Sequence, residues 1–286
     1  MNSSEKLKKL ISLFQNQKYN EVINEIDKIK NKDSIILNLY GGAKLLRNDK
    51  TKNDKVSALE SFEKGYLIDI TSENGLRALC NFINIATEFK KFDKIFEYYH
   101  KAKKIFGENE KLLEAIQRVY QYQFKVEERN KILKKLVNNK SKSVRIWSSF
   151  LYNNNFLSDI VSQEDHYNLT LNFDGVLKDF KLPEIKLENK ILERPIRIGF
   201  LSADLNRNHS VVYFLRGLLE NLDKKKFHLT AIGNWRDEGF SNKQISDLFD
   251  DWFSIYKYDD LNSIKLIRSK KLDVIFDLMG MTSENR

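Results

Sequence analysis

From residue 196 onward, short apolar runs alternate with amphipathic segments, and no other feature of this sequence narrows its fold as much. IRIGFLSA (196–203), FHLTAIGN (227–234), WFSIYK (252–257) and LDVIFDLMG (272–280) read as buried strands. Between them, residues 209–222, 241–251 and 260–271 read as helices, the first with apolar positions Val212, Phe214, Leu215, Leu218, Leu219 and Leu222. An aspartate or Asn262 is positioned to cap the last of these. Strands that alternate with helices of about 10–15 residues favour a parallel sheet with right-handed crossovers. The expected fold of residues 195–286 is therefore a partial Rossmann-like α/β domain.

Ahead of Pro195 the pattern is helical, and Pro183 is its only proline. In residues 1–155 paired helices recur. Second helices open near 18–23, 54–59, 91–96 and, more weakly, 123–128. These steps are close to the 34 residues of tetratricopeptide repeats, although the repeat-ending proline is missing throughout. Ala58 and Phe62, four apart, match that repeat's small and aromatic packing positions, and Gly41 and Gly42 fall where a neighbouring helix must come close. A single hairpin cannot bury its apolar stripe alone, so such units stack into a solenoid with a concave face suited to extended peptides or proteins. An irregular all-helical domain is the other reading. Residues 156–194 form a connector, with a helix predicted over 162–178 that carries His166, expected to be a packed or surface histidine.

Composition excludes several classes. The apolar runs are too short to span a membrane, and no secretory segment opens the chain. Cys80 is the lone cysteine, so neither a disulfide framework nor a cysteine metal cluster is expected, and a cytoplasmic protein is the simplest reading. The net charge of +9 lies almost wholly in residues 1–194, with 35 basic against 27 acidic residues; from Pro195 onward the count is 14 against 13. Lysine alternates there with acidic residues and asparagine, as on solvated helix faces. A basic RNA-associated repeat protein is thus the weakest reading, and nucleic acid is not an expected partner.

Ligands of an open parallel sheet bind beyond the carboxyl ends of its strands. Two loops qualify: Asp204-Leu205-Asn206-Arg207-Asn208-His209-Ser210 and residues 279–286. The first lacks the glycines of a dinucleotide fingerprint and offers long polar side chains instead. His209 would stand at the first turn of a helix, whose N-terminus disfavours an imidazolium and leaves a neutral ring able to accept a hydroxyl proton. The plainer alternative is that Asn208 or Ser210 caps the helix and His209 faces solvent.

RIGFLSAD…RNHSVVYFLRGLL, KFHLTAIGN and LDVIFDLMGMTSENR together resemble the start of the catalytic region of the O-linked N-acetylglucosamine (O-GlcNAc) transferase family. The connector stretch DIVSQEDHYNLTLNF is similar to the helix that precedes that region, so the resemblance covers roughly residues 145–286. It implies tetratricopeptide-like repeats ahead of a two-lobed GT-B glycosyltransferase. The implied reaction is metal-independent, inverting transfer of N-acetylglucosamine from UDP-GlcNAc, a donor substrate, to Ser or Thr of proteins; no cofactor is implied. His209 matches a family histidine considered a base or acceptor-orienting group, and Asp204, Asn208, Gly280 and Thr282 would shape the same cleft wall. Two positions depart from the family pattern: Asn206 is an extra residue in the first loop, and Met281 stands where a histidine is usual. The chain reaches Arg286 just after the fourth strand, whereas the family's donor-binding groups lie mainly in a second lobe. The expectation is an N-terminal portion that does not turn over alone, with that lobe as a partner if the protein is split. Apolar surface should then be exposed near Val274, Phe276 and Met279. The competing class is a non-catalytic protein-binding scaffold with a vestigial α/β domain.

Overall fold

The computed structural model describes residues 3–139, 141–178, 194–236 and 239–282. They belong to two compact units, Met1–Ser162 and Gln163–Arg286.

The first unit is a row of helical hairpins. Its helices are α1 (Ser3–Gln15), α2 (Tyr19–Asp27), α3 (Ser34–Leu46), α4 (Lys52–Ile68), α5 (Glu73–Glu88), α6 (Phe92–Phe106), α7 (Glu110–Tyr122), α8 (Val126–Asn138) and α9 (Val144–Asn154). The second helix of each pair begins within three residues of the position that the repeat pattern predicts. Three of the turns are copies of one another. Gln17, Lys90 and Phe124 take the left-handed conformation, with φ of 59°, 54° and 55°. The lysine after each donates its amide back to Leu13, Ala86 or Tyr120, closing the preceding helix in a Schellman-type bond. The α3–α4 turn is built differently. Asp54 accepts from the Thr51 amide (2.7 Å), the Thr51 hydroxyl (2.9 Å) and Arg47 (2.6 Å), so one buried carboxylate ties the turn to the first turn of α4.

Packing between hairpins follows from small residues facing large ones. Ala58 and Phe62 are both buried, as the repeat pattern expects. A Cβ on Gly41 would lie 2.6 Å from Phe62 Cε1, so the absent side chain is what admits the ring. One continuous core runs through α4, α5, α6 and α7, including Phe62, Leu79, Phe82, Tyr98 and Ile116.

The second unit opens with α10 (Gln163–Leu177), close to the predicted helix. Residues 179–193, with Pro183, lie outside the described residues. A four-stranded parallel sheet follows: β1 (Ile196–Ser202), β2 (Phe227–Gly233), β3 (Asp251–Ser254) and β4 (Val274–Asp277), in the order β3-β2-β1-β4. Register sets Ile198 beside Leu229 on one side and beside Val274 on the other. α11 (Ser210–Asn221) links β1 to β2, and α12 (Asp260–Ser269) links β3 to β4. Asp259 caps α12 through the Asn262 amide at 2.8 Å. A core of Ile198, Phe200, Leu205, Val212, Leu215, Leu219, Leu229 and Trp235 joins sheet, α11 and loops.

Three expectations are corrected. Residues 241–251 are not a helix but hold a single 3₁₀ turn, Ser246–Leu248. Side chains meet the first amides of this segment: Ser241 and Asn242 donate to Asn206, and Gln244 donates to Asn242 Oδ1. At the other end Asp250 donates its amide to the Leu229 carbonyl and accepts from the Leu229 amide, so the chain is already tied to β2 there. The third strand accordingly starts at Asp251 and ends at Ser254, short of residue 257. On the fourth strand Val274 and Phe276 are exposed as expected, and Ile275 with them, but Met279 is buried, its sulfur 3.1 Å from the Ala203 amide.

Candidate functional site

β1, β2 and β3 succeed one another in one direction across the sheet, and β4 then lies on the far side of β1. The order reverses between β1 and β4, and such a switch point is where open α/β sheets form a crevice. The two loops singled out in the sequence are the ones that leave these neighbouring strand tips. They are tied together at their base: Leu278 donates its amide to Leu201 (3.0 Å), and the Ala203 amide meets Met279 Sδ.

The loop after β1 is held by a charged cluster. Asp204 is buried, and its amide donates to the Ser202 hydroxyl at 3.0 Å. Arg207 donates to Asp204 Oδ1 from Nε at 2.8 Å and also from Nη2. Asp204 Oδ2 lies 3.6 Å from His209 Nδ1. His209 is the N-cap of α11: its backbone is extended, and its Nδ1 takes the Val211 amide at 3.4 Å. The cap is therefore neither Asn208 nor Ser210, which the sequence alone offers as the conventional residues. The imidazole is half-exposed rather than turned wholly to solvent. Asn208 is exposed beside it.

Asn206 is the residue that fixes this loop to the β2–β3 connection. Its Oδ1 accepts from the Ser241 amide (2.7 Å), the Ser241 hydroxyl (3.2 Å) and the Asn242 amide (3.3 Å), and its Nδ2 donates to the Gly239 carbonyl (3.1 Å). Asn242 reciprocates, donating to the carbonyls of Leu205 and Arg207 at 3.0 Å each. Arg207 and Asn242 are the neighbours of the candidate cluster that sequence reasoning passes over. The first was legible in principle, as a basic residue three places after an acidic one in a loop; the second depends on a partner 35 or more residues away.

The loop after β4 is turned by Asp277, whose Oδ1 accepts from the amides of Met279 (2.8 Å) and Gly280 (3.2 Å). Gly280 has φ of +53°, a conformation that suits glycine, and it stands in open space. Thr282 directs its hydroxyl back to the Met279 carbonyl at 2.7 Å. Residues 283–286 lie outside the described residues. The structure thus brings Asp204 and His209 together, seats Asn208 next to them, and sets Gly280 and Thr282 on the adjoining strand tip.

Two other features lie apart from this cluster. A cavity of about 390 Å³ opens at the amino ends of the strands, lined by Arg194, Arg197, His228, Thr230, Asp251 and Lys270. Arg194 is paired there with Asp273 and Lys270 with Asp251, so most of its charge is already neutralised. Burial pushes the Cys80 thiol up to about 12, which keeps it protonated and unreactive at neutral pH. No described helix is long and apolar enough to cross a membrane.

No family model matches the chain. Its relatives are more informative. The Arabidopsis thaliana protein named probable UDP-N-acetylglucosamine–peptide N-acetylglucosaminyltransferase SPINDLY is 28% identical over 104 residues, which is 33% of this chain and 11% of that protein. Its Solanum lycopersicum counterpart is 28% identical over 102 residues, with 34% and 11% covered. Among solved structures, a mutant of the Thermobaculum terrenum O-GlcNAc transferase aligns with a TM-score of 0.59 at 18% identity, covering 80% of this chain and 44% of that one. Over about a third of its length this chain is thus similar in sequence to proteins of O-GlcNAc transferase name. The O-GlcNAc transferase likeness in structure is one of fold, a helical-repeat solenoid followed by a Rossmann-like parallel sheet. The chain spans about a tenth of the length of the curated relatives that it matches.

Proposed function

We propose that this chain supplies the repeats and first-lobe strand tips of a protein O-GlcNAc transferase-like glycosyltransferase, which moves N-acetylglucosamine from UDP-GlcNAc to Ser or Thr hydroxyls of proteins. The observation that carries the reading is the meeting of Asp204 and His209, 3.6 Å apart, at a switch-point tip. In the reaction an acceptor oxygen attacks the anomeric carbon, the bond from that carbon to the UDP oxygen breaks, and the hydroxyl proton passes to His209. Asp204 holds His209, while Asn208, Gly280 and Thr282 form the surrounding wall. The step is positioning, proton acceptance and stabilisation of the leaving charge, and needs no metal. The helical unit would hold protein or peptide acceptors along its concave face.

A second reading is a non-catalytic protein-binding scaffold. It is favoured by Met281, which cannot move a proton, and by the Thr282 hydroxyl, which is spent on its own loop.

The decisive variant is His209→Asn in the complete protein. Asparagine keeps an N-cap acceptor but cannot serve as a base at neutral pH. Transfer of labelled sugar to acceptor proteins should fall by about 100-fold or more, with UDP affinity changed less than about twofold. Equal losses in both would remove His209 from the chemistry. Acceptor binding without any transfer by the wild-type protein would leave the scaffold reading.

A further inference from the structure

Asp204 has one carboxylate oxygen committed and one facing His209. Both Arg207 donors go to Oδ1, and Oδ2 lies 3.6 Å from His209 Nδ1, with no other donor at Oδ2 among the described residues. The same Nδ1 lies 3.4 Å from the Val211 amide. These two demands exclude each other. Capping α11 needs a lone pair on Nδ1, whereas a bond to the carboxylate needs a proton there.

The carboxylate has the stronger claim. An N–H···N contact of 3.4 Å is at the long end of hydrogen bonding, and the half-exposed cap has water as an alternative partner. A bond to an ionised acceptor is also about twice as strong as a neutral one. Arg207, by gripping Oδ1, stops the carboxylate from rotating away. A ring movement of under about 1 Å would turn the 3.6 Å approach into a hydrogen bond.

We infer that Asp204 is a positioning residue that draws the imidazole proton of His209 onto Nδ1 and so leaves the lone pair on Nε2. His209 could then accept a hydroxyl proton without first changing tautomer. The inference rests on the glycosyltransfer reading for which proton Nε2 takes, but not for where the ring keeps its own.

The test is long-range ¹H–¹⁵N NMR on the whole 286-residue chain with ¹⁵N-labelled histidine rings, at pH about 8, above the ordinary imidazole range. The chain has four histidines, and the His209 signals are those lost in His209→Gln. The expected wild-type ring is mainly Nδ1-protonated. In Asp204→Asn the ratio of Nδ1–H to Nε2–H should drop roughly tenfold, the loss of one bond to a charged group. A drop of less than about threefold, or a wild-type ring protonated mainly on Nε2, would overturn the inference. If Asp204→Asn does not fold, the wild-type spectrum alone decides. A complete protein that transfers no sugar while His209 stays Nδ1-protonated would refute the transferase reading and leave this one standing.

Discussion

Replacing Asn206 with alanine tests whether this residue is a spacer or a clamp. It removes one acceptor that serves three donors and one donor to the Gly239 carbonyl. A net hydrogen bond contributes about 0.5–1.5 kcal/mol, and groups that regain water give back part of that. Ser241 is exposed, so its amide and hydroxyl rehydrate; the Asn242 amide is partly buried and does so less completely. The expected loss is about 1–2 kcal/mol for the α/β unit. Urea unfolding followed by tryptophan fluorescence reads it, since Trp235 and Trp252 lie in that unit and Trp147 can be silenced in a Trp147→Phe background. With a slope of about 2 kcal/mol/M the midpoint should fall by roughly 0.5–1 M. Deleting Asn206 outright should cost at least as much. A midpoint shift below about 0.15 M for both variants would refute the clamp.

The other two predictions concern the helical unit. Burial works to raise the Asp54 carboxyl, but its bonds from Thr51 and Arg47 outweigh that and hold it well below the usual carboxylate range. A lowered folded-state value gives stability that is complete above about pH 4 and is lost as pH falls toward the folded value. Asp54→Asn should therefore lower Tm at pH 7 and lower it progressively less below about pH 4; a pH-independent difference in calorimetry would count against the charge. Gly41→Ala would place a methyl against Phe62, an overpacking of about 1–3 kcal/mol that exceeds the usual helical gain of about 1 kcal/mol. Its Tm should fall, and pairing it with Phe62→Leu should recover most of the loss; a rise in Tm for Gly41→Ala alone would show that the contact is slack.

What the sequence revealed depends on how local each cause is. The hairpins were legible because every second helix carries its own apolar stripe, and the strands were legible because β-branched runs need no distant partner to be recognised. The copies of the left-handed turn were hidden, since Gln17, Lys90 and Phe124 stand where glycine would have signalled them. Residues 241–251 have helical periodicity, yet their start is held by Asn206, 35 residues earlier, and no window of periodicity contains it. Met279 reads as strand-end surface, but its sulfur meets the Ala203 amide, 76 residues away. At the candidate site the residue types were legible, while the pairing was not: that His209 itself caps α11 and faces Asp204 is a matter of backbone angles that residue names do not encode.

The placement of β1 inside the sheet has a kinetic consequence. Its partners all follow it along the chain, and its closure against β4 joins distant residues such as Ile198 and Val274. The helical hairpins need only contacts between neighbours. As the chain leaves the ribosome, the solenoid can therefore mature while β1 waits unpaired, and assembly of the sheet is the slow, loop-closing event of its biogenesis.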